Sequence, residues 1–302
     1  MNRGSAPAVC GAMTSETPAV PAPAGVGRIR LLVCDIDGCL SKGSTHPLPL
    51  KLLQRLYECN ARSKSDPDFP AVSLCTGRTQ PYVECLMQAY DAHLPATCEN
   101  GTVIFEPTRY EIHLHPEFTA QERQVMEQTR ALIDEHLLGA DVQHEPGKFT
   151  HFTLVVSPPT RPADLLEAAE NLAAQFPGWW RVEVTKSCVH FLFQHLHKGT
   201  GVEWLASMTG IGLEEMAGIG DARPDIPFLS QVGIACAPGN AHPDVKAVAH
   251  WTSPLEDAEA TIEFMDRVVD HNRALTRAEI LAGSASSGRL PAAEDGTGEV
   301  QS

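Results

Sequence analysis

Residues 29–40 read IRLLVCDIDGCL, a short apolar run that breaks off in acid and glycine. Leu31, Leu32, Val33 and Cys34 have the length and composition of a buried strand. Asp35 and Asp37 follow one residue apart, so both carboxylates can enter the crevice at the strand's end, where open α/β sheets bind ligands. Gly38 then lets the backbone turn away. Two carboxylates this close repel unless a proton or a cation lies between them. A hard cation such as Mg²⁺ takes oxygen ligands and accepts phosphate as a further one. Taken alone, D-I-D-G reads equally well as an ordinary acidic turn.

The chain beyond repeats the pattern. A helix over about 49–61 begins at Pro49 and carries an apolar face of Leu52, Leu53, Leu56 and Tyr57. A second strand, over 71–75, stops at Thr76-Gly77-Arg78, and a helix over about 81–90 follows. Thr76 offers a hydroxyl there, and backbone N–H groups point toward the helix start, as in a phosphate cradle; a plain strand-to-helix turn has the same residues. Asn100-Gly101 marks a hairpin turn within 96–105. From about residue 106 to 188 helices and strands alternate without polar strand ends, which predicts an inserted α+β unit.

The first texture then resumes. Lys198-Gly199 opens a helix, and a strand over 216–219 ends in Gly220-Asp221-Ala222-Arg223-Pro224-Asp225. A strand over 232–236 leads to Pro238-Gly239-Asn240, and a strand over 248–252 precedes a long helix over about 256–273. Strand and helix in alternation predict an α/β fold, a Rossmann-like parallel sheet covered on both faces. The expected division is a catalytic core of 28–107 and 193–275, an α/β cap of 108–192, and disordered tails of 1–27 and 283–302 rich in small residues and proline.

Composition narrows the partners. A formal net charge of −15 on 302 residues argues against nucleic acid and anionic membrane, both of which require a basic face. An anionic substrate would then need a local cation or helix N-terminus. Nine cysteines without a C-x-x-C pair argue for a reducing cytoplasm over a disulfide framework. No apolar stretch is long enough to span a bilayer, and the sequence leaves the oligomeric state open.

In a parallel sheet the strand ends converge, so Asp35, Asp37, Thr76, Lys198, Asp221 and Asp225 would share one crevice, a metal-plus-anion site. With these motifs in this order, the chain resembles the haloacid dehalogenase-like hydrolases, in the subfamily with an α/β C2-type cap between the second and third motifs. Cof-type sugar phosphatases, sucrose-phosphate phosphatases and archaeal-type phosphoglycolate phosphatases belong to it. The resemblance covers about residues 29–273 and includes C-E-N-G-T from Cys98 and the stretch after Asp225 that contains Asn240.

The resemblance implies a Mg²⁺-dependent phosphomonoesterase acting on a small phosphorylated metabolite, a sugar phosphate or a phosphoglycolate-like acid. Asp35 would be the nucleophile, forming an aspartyl-phosphate, and Asp37 the general acid and base. Asp221 and Asp225, with Asp35 and the main-chain carbonyl of Asp37, would hold the metal. Thr76, Gly77 and Lys198 would bind the phosphoryl oxygens, with Arg78 and Asn240 near them. A sugar phosphomutase and a non-catalytic phosphometabolite-binding protein are the alternatives on this scaffold. Cys39, Pro224 and Pro238 depart from the family pattern; Cys39 is expected to serve packing.

Other features have plainer readings. His195-x-His197 and His113-x-His115 could each face a transition metal, but flanking roles fit them better. Trp179, Trp180, Phe191 and Phe193 are expected in a core. Lys148, His151, Lys186 and His190 are the insert's polar candidates for recognising a substrate beyond its phosphate.

Overall fold

In the computed structural model of the chain, described for residues 23 and 25–287 apart from 44 and 159, with side chains up to 282, the run after Arg30 is an internal strand of a parallel sheet. This strand, β1 (Leu31–Cys34), is followed by α1 (Leu50–Ser63), β2 (Ala71–Leu74) and α2 (Gln80–Ala89). β3 (Ala96–Cys98) and β4 (Val103–Glu106) make the expected hairpin, joined by a 3-10 turn at Glu99–Gly101, and β5 (Glu111–Leu114) adds antiparallel to β4. Next come α3 (Ala120–His136), β6 (Val142–His144), β7 (Phe152–Val156), α4 (Leu166–Ala173), β8 (Trp180–Val184) and β9 (Cys188–Phe193). The chain returns through α5 (Lys198–Thr209), β10 (Met216–Ile219), α6 (Ile226–Leu229), β11 (Ile234–Ala237), α7 (Pro243–Val248), β12 (Trp251–Thr252) and α8 (Asp257–Ser287).

The fold is α/β, with five parallel strands in the order β12-β11-β10-β1-β2. Side chains alternate across a strand, so Leu32 and Cys34 of β1 enter one buried cluster while Leu31 and Val33 enter the other. Burial on both faces explains why this strand is apolar throughout. From β1 the chain moves outward to β2, and it later returns on the other side to β10. The carboxyl end of β1 is therefore a topological switch point, the place where two outward-running connections leave a crevice.

A second core lies in the inserted segment. β6, β7, β9 and β8 form an antiparallel sheet in that order, and α3 and α4 supply apolar side chains to one of its faces. Phe152, Trp180, Phe191 and Phe193 fill it, with the Trp180 and Phe193 rings stacked 4.3 Å apart. Trp180, Phe191 and Phe193 are packing residues, as expected, and Phe152 joins them. α3 starts in a capping box: the Thr119 hydroxyl accepts from Gln121 N–H, and Glu122 reaches back to Thr119 N–H.

Several boundaries differ from expectation. β5, read from sequence as the first strand of the insert, pairs instead with β4, because Ile112 and Leu114 meet Phe105 and Val103 across that ladder. β6 had no sequence signal, being only three residues long. α8 continues to Ser287, so the expected C-terminal tail begins as helix; residues 288–302 lie outside the described residues, as do 1–22. Val26, placed in the expected N-terminal tail, packs against the main core. No helix among the described residues is long and apolar enough to cross a membrane.

Truncating a fully buried ring leaves a cavity as well as lost transfer energy. Phe191→Ala should therefore destabilise the inserted unit by about 3–5 kcal/mol, read as a lowered denaturant midpoint for the protein. A change below about 1 kcal/mol would show that this core is not cooperative with the rest.

Candidate active site

Asp35 is the first residue beyond β1, and its N–H donates to the Ile219 carbonyl of β10 at 3.0 Å. Thr76 is the second residue beyond β2, and Asp221 the second beyond β10. Lys198 is the first residue of α5, whose N-terminus is capped by His197 Nδ1 accepting from Gly199 and Thr200 N–H groups. That cap is the role the structure gives His197, and His195 lies against Glu122 on α3. The sheet edge thus brings Asp35, Thr76, Asp221 and Lys198 together.

Lys198 organises the group. Its Nζ donates to Asp35 Oδ1 at 2.7 Å and to Asp225 Oδ1 at 2.5 Å, with all three side chains buried. The paired carboxylates outweigh burial and hold the ammonium well above its ordinary pKa. Asp225, expected to hold a metal directly, is engaged otherwise. Its second oxygen accepts from the N–H groups of Asp221 and Ala222 at 3.0 and 2.9 Å, which closes the turn that aims Asp221. Asp225 is thus a positioning group for Lys198 and Asp221.

Asp221 has the opposite character. Its Oδ1 is buried without a hydrogen-bond partner, and ligand atoms of Asp35, Cys39 and Asp221 lie within 4.8 Å of one another. Gly38, at φ 90°, passes so close that a Cβ there would collide with the Asp221 carboxylate. Burial first, then neighbouring acids, pushes Asp221 up to about 8. Asp35 rises to about 7 for the same first reason, although Lys198 opposes it. Orphaned, crowded carboxylate oxygens of this kind suit a hard cation. Cys39, expected to serve packing alone, also has its thiol in this cluster; burial and the three acids hold the thiol protonated.

Asp37 and Arg78 form a two-pronged pair: Arg78 Nε donates to Oδ2 at 2.7 Å and Nη2 to Oδ1 at 2.6 Å. The Arg78 guanidinium also lies over the Tyr82 ring. Thr76 Oγ1 accepts from Arg78 N–H at 3.1 Å, which curls the backbone around Gly77, and a Cβ on Gly77 would press on the Asn100 side chain. Asn240 does not reach this turn. Its amide donates to the Gly38 carbonyl and its oxygen accepts from Asp257 N–H, both at 2.9 Å, so it braces the loop that follows Asp37.

Sequence reading missed Glu99. This wholly buried carboxylate lies at φ 48° in the turn between β3 and β4. It accepts from Phe149 N–H and Thr150 N–H, both at 2.9 Å, and from Thr150 Oγ1 at 2.8 Å, tying the insert to the β3–β4 hairpin. Burial, the largest influence, raises its pKa in spite of these bonds. Acid followed by Asn-Gly at a strand end was the available signal, but its partners lie some fifty residues away. Beside it Gly101 and Gly201 bring two backbones into contact where side chains would clash.

Against known proteins, a sequence model of haloacid dehalogenase-like hydrolases matches residues 143–265, from β6 into α8. A phosphoglycolate phosphatase of Sulfolobus acidocaldarius is 24% identical over 244 residues, 80% of this chain and 97% of that one. Another, from Methanopyrus kandleri, is 26% identical over 243 residues, 80% and 97% of the two chains. The crystal structure of a Thermoplasma acidophilum protein superposes with a TM-score of 0.63 at 18% identity, covering 80% of this chain and 99% of that one. The chain is thus similar to haloacid dehalogenase-like hydrolases in sequence and in fold. The sucrose-phosphatase of Synechocystis, solved with sucrose and phosphate, shares the fold at a TM-score of 0.57 and 16% identity, over 80% and 98% of the chains.

The segment matched by the family model contains Lys198, Asp221 and Asp225 but neither Asp35 nor Thr76. Those two join the site through the sheet, Asp35 from β1, which pairs with β10, and Thr76 from β2, which pairs with β1.

Two outcomes test this geometry. A carboxyl whose folded pKa exceeds its unfolded one binds more protons when folded, so the stability it gives below the unfolded pKa is lost as pH rises through the folded one. In chelator-treated protein, thermal midpoints should therefore fall between about pH 4 and the values near 7 and 8 of Asp35 and Asp221, and less steeply in Asp221→Asn. Equal slopes in the two proteins would contradict the assignment. Glu99→Ala would leave buried donors of the insert unpaired and should cost about 3 kcal/mol in urea melts.

Proposed function

We propose that the protein is a Mg²⁺-dependent phosphomonoesterase that works through an aspartyl-phosphate on Asp35 and acts on a small phosphorylated metabolite, a sugar phosphate or a phosphoglycolate-like acid. The observation that carries this reading is the Asp35–Lys198–Asp225 cluster at the sheet's switch point, next to the partnerless oxygen of Asp221. The names of the relatives support it: phosphoglycolate phosphatases along four-fifths of the chain and a sucrose-phosphatase by fold.

Asp35 and Asp221 would hold the metal, which when bound offsets the charge between a carboxylate nucleophile and a phosphate. An Asp35 oxygen attacks phosphorus, the phosphorus–oxygen bond to the alcohol breaks, and the alcohol leaves with a proton from Asp37. Water then attacks the same phosphorus, Asp37 takes its proton, and the Asp35 carboxylate departs with its electron pair. Lys198 and the Thr76 turn balance charge on the transferring oxygens. The fork between Arg78 and Asp37 has to open for either proton transfer, and an incoming phosphate, which competes for the guanidinium, supplies the drive.

Phosphate release from sugar phosphates, phosphoglycolate and an aryl phosphate should require Mg²⁺ and stop with EDTA. Asp35→Asn should lower turnover to background in every case; turnover retained in that variant would rule out the covalent route.

A further inference from the structure

Lys148 belongs to the insert, yet its Nζ donates to the carbonyl of Gly77 at 2.5 Å. Gly77 is flanked by Thr76 and by Arg78, whose side chain is on Asp37, so this ammonium stands over the turn that borders the phosphoryl site. Its side chain is 7% exposed. A buried ammonium needs its charge and three donors matched. Gly77 takes one donor and Glu145 Oε2, at 3.3 Å and on the more exposed side, takes a second. The third is left for an incoming group.

The placement is built. The two residues after Lys148 give both N–H groups and a hydroxyl to buried Glu99, which fixes the loop to the β3–β4 turn. Gly147 turns at φ 83° with Thr79 beneath it. Behind the loop, Thr153, His190 and Glu183 lie in register on β7, β9 and β8. His190 donates to or accepts from Thr153 at 3.0 Å, and burial, then Lys148, lowers it to about 4, so the imidazole is neutral at pH 7. His151 is also held neutral, by burial first and then Lys148. Among these groups Lys148 carries the positive charge.

We infer that Lys148 recognises a second anionic group of the substrate, a carboxylate one or two carbons from the phosphate ester oxygen, and so selects short phosphorylated acids over neutral phosphate esters. This rests on the phosphatase reading for its chemistry, and binding tests it separately from turnover. Phosphoglycolate and ethyl phosphate have nearly the same shape and differ in the carboxylate. Their affinities for Asp35→Asn in Mg²⁺ buffer, by calorimetry, should favour phosphoglycolate by about tenfold, the value of one charge-assisted contact. Adding Lys148→Met should bring the ratio near one, and Lys148→Arg should restore part of it. Glu145→Gln, which removes the competing carboxylate and leaves Lys148 in place, should raise the ratio. Equal affinities in the parent, a parallel loss of both ligands in Lys148→Met, or a ratio that neither variant moves would overturn the inference. Absence of turnover of any ester by the unsubstituted enzyme would instead overturn the phosphatase reading, with the affinity ratio still legible.

Discussion

Everything at the sheet edge depends on one buried ammonium. Lys198 joins the loop after β1 to the loop after β10 through Asp35 and Asp225, and it does so from the first turn of α5, the helix that brings the chain back from the insert. Burying a lone lysine or a lone carboxylate would be costly, and each is tolerated because the others are present. Removing one partner therefore does more than break a contact, since it leaves an uncompensated charge in an apolar sheet. The cluster's two acids and one base also leave negative charge over, which adds to burial, the larger influence, in raising Asp35 and Asp221 toward neutrality, and a cation fits beside them.

A second constraint holds the insert over this edge. Glu99 and Lys148 are its two ends: a carboxylate of the β3–β4 turn receives donors from the insert, and an ammonium of the insert donates to the turn after β2. The exchange is reciprocal and buried, so it fixes register more firmly than exposed ion pairs, whose net value is small. Close backbone approach at Gly101 and Gly201 fixes the same junction from the other side, because α5 can lie against the hairpin turn only where neither chain carries a side chain.

What was legible in the sequence was local. An apolar run ending in Asp35, another ending in Thr76 and a third ending in Asp221 declare strand ends, and alternation of helix with strand makes those ends converge. The roles of Asp225 and Asn240 were not legible, because a side chain's partner is set by loop geometry: Asp225 turns back to its own loop, and Asn240 braces Gly38 across a gap of some two hundred residues. The same holds for Arg78, whose sequence position suits substrate contact and a mere addition of positive potential equally, and whose fork meets Asp37. Pairing of β5 with β4 was likewise hidden, since an alternating strand next to an insert reads the same whichever sheet completes it.

Net charge gives these details a common sense. A chain of net charge −15 repels phosphate esters at long range, so affinity has to be made at contact distance, by cations already desolvated and already aimed. Lys198 is held by two acids, Arg78 by one, and Lys148 by a carbonyl and one partly exposed acid. These cations thus differ in how much of their charge is already matched. The best-compensated, Lys198, is part of the frame, whereas the least-compensated, Lys148, retains the most attraction for an added anion. Selectivity then falls to the insert, where a single lysine distinguishes a ligand with one negative end from a ligand with two.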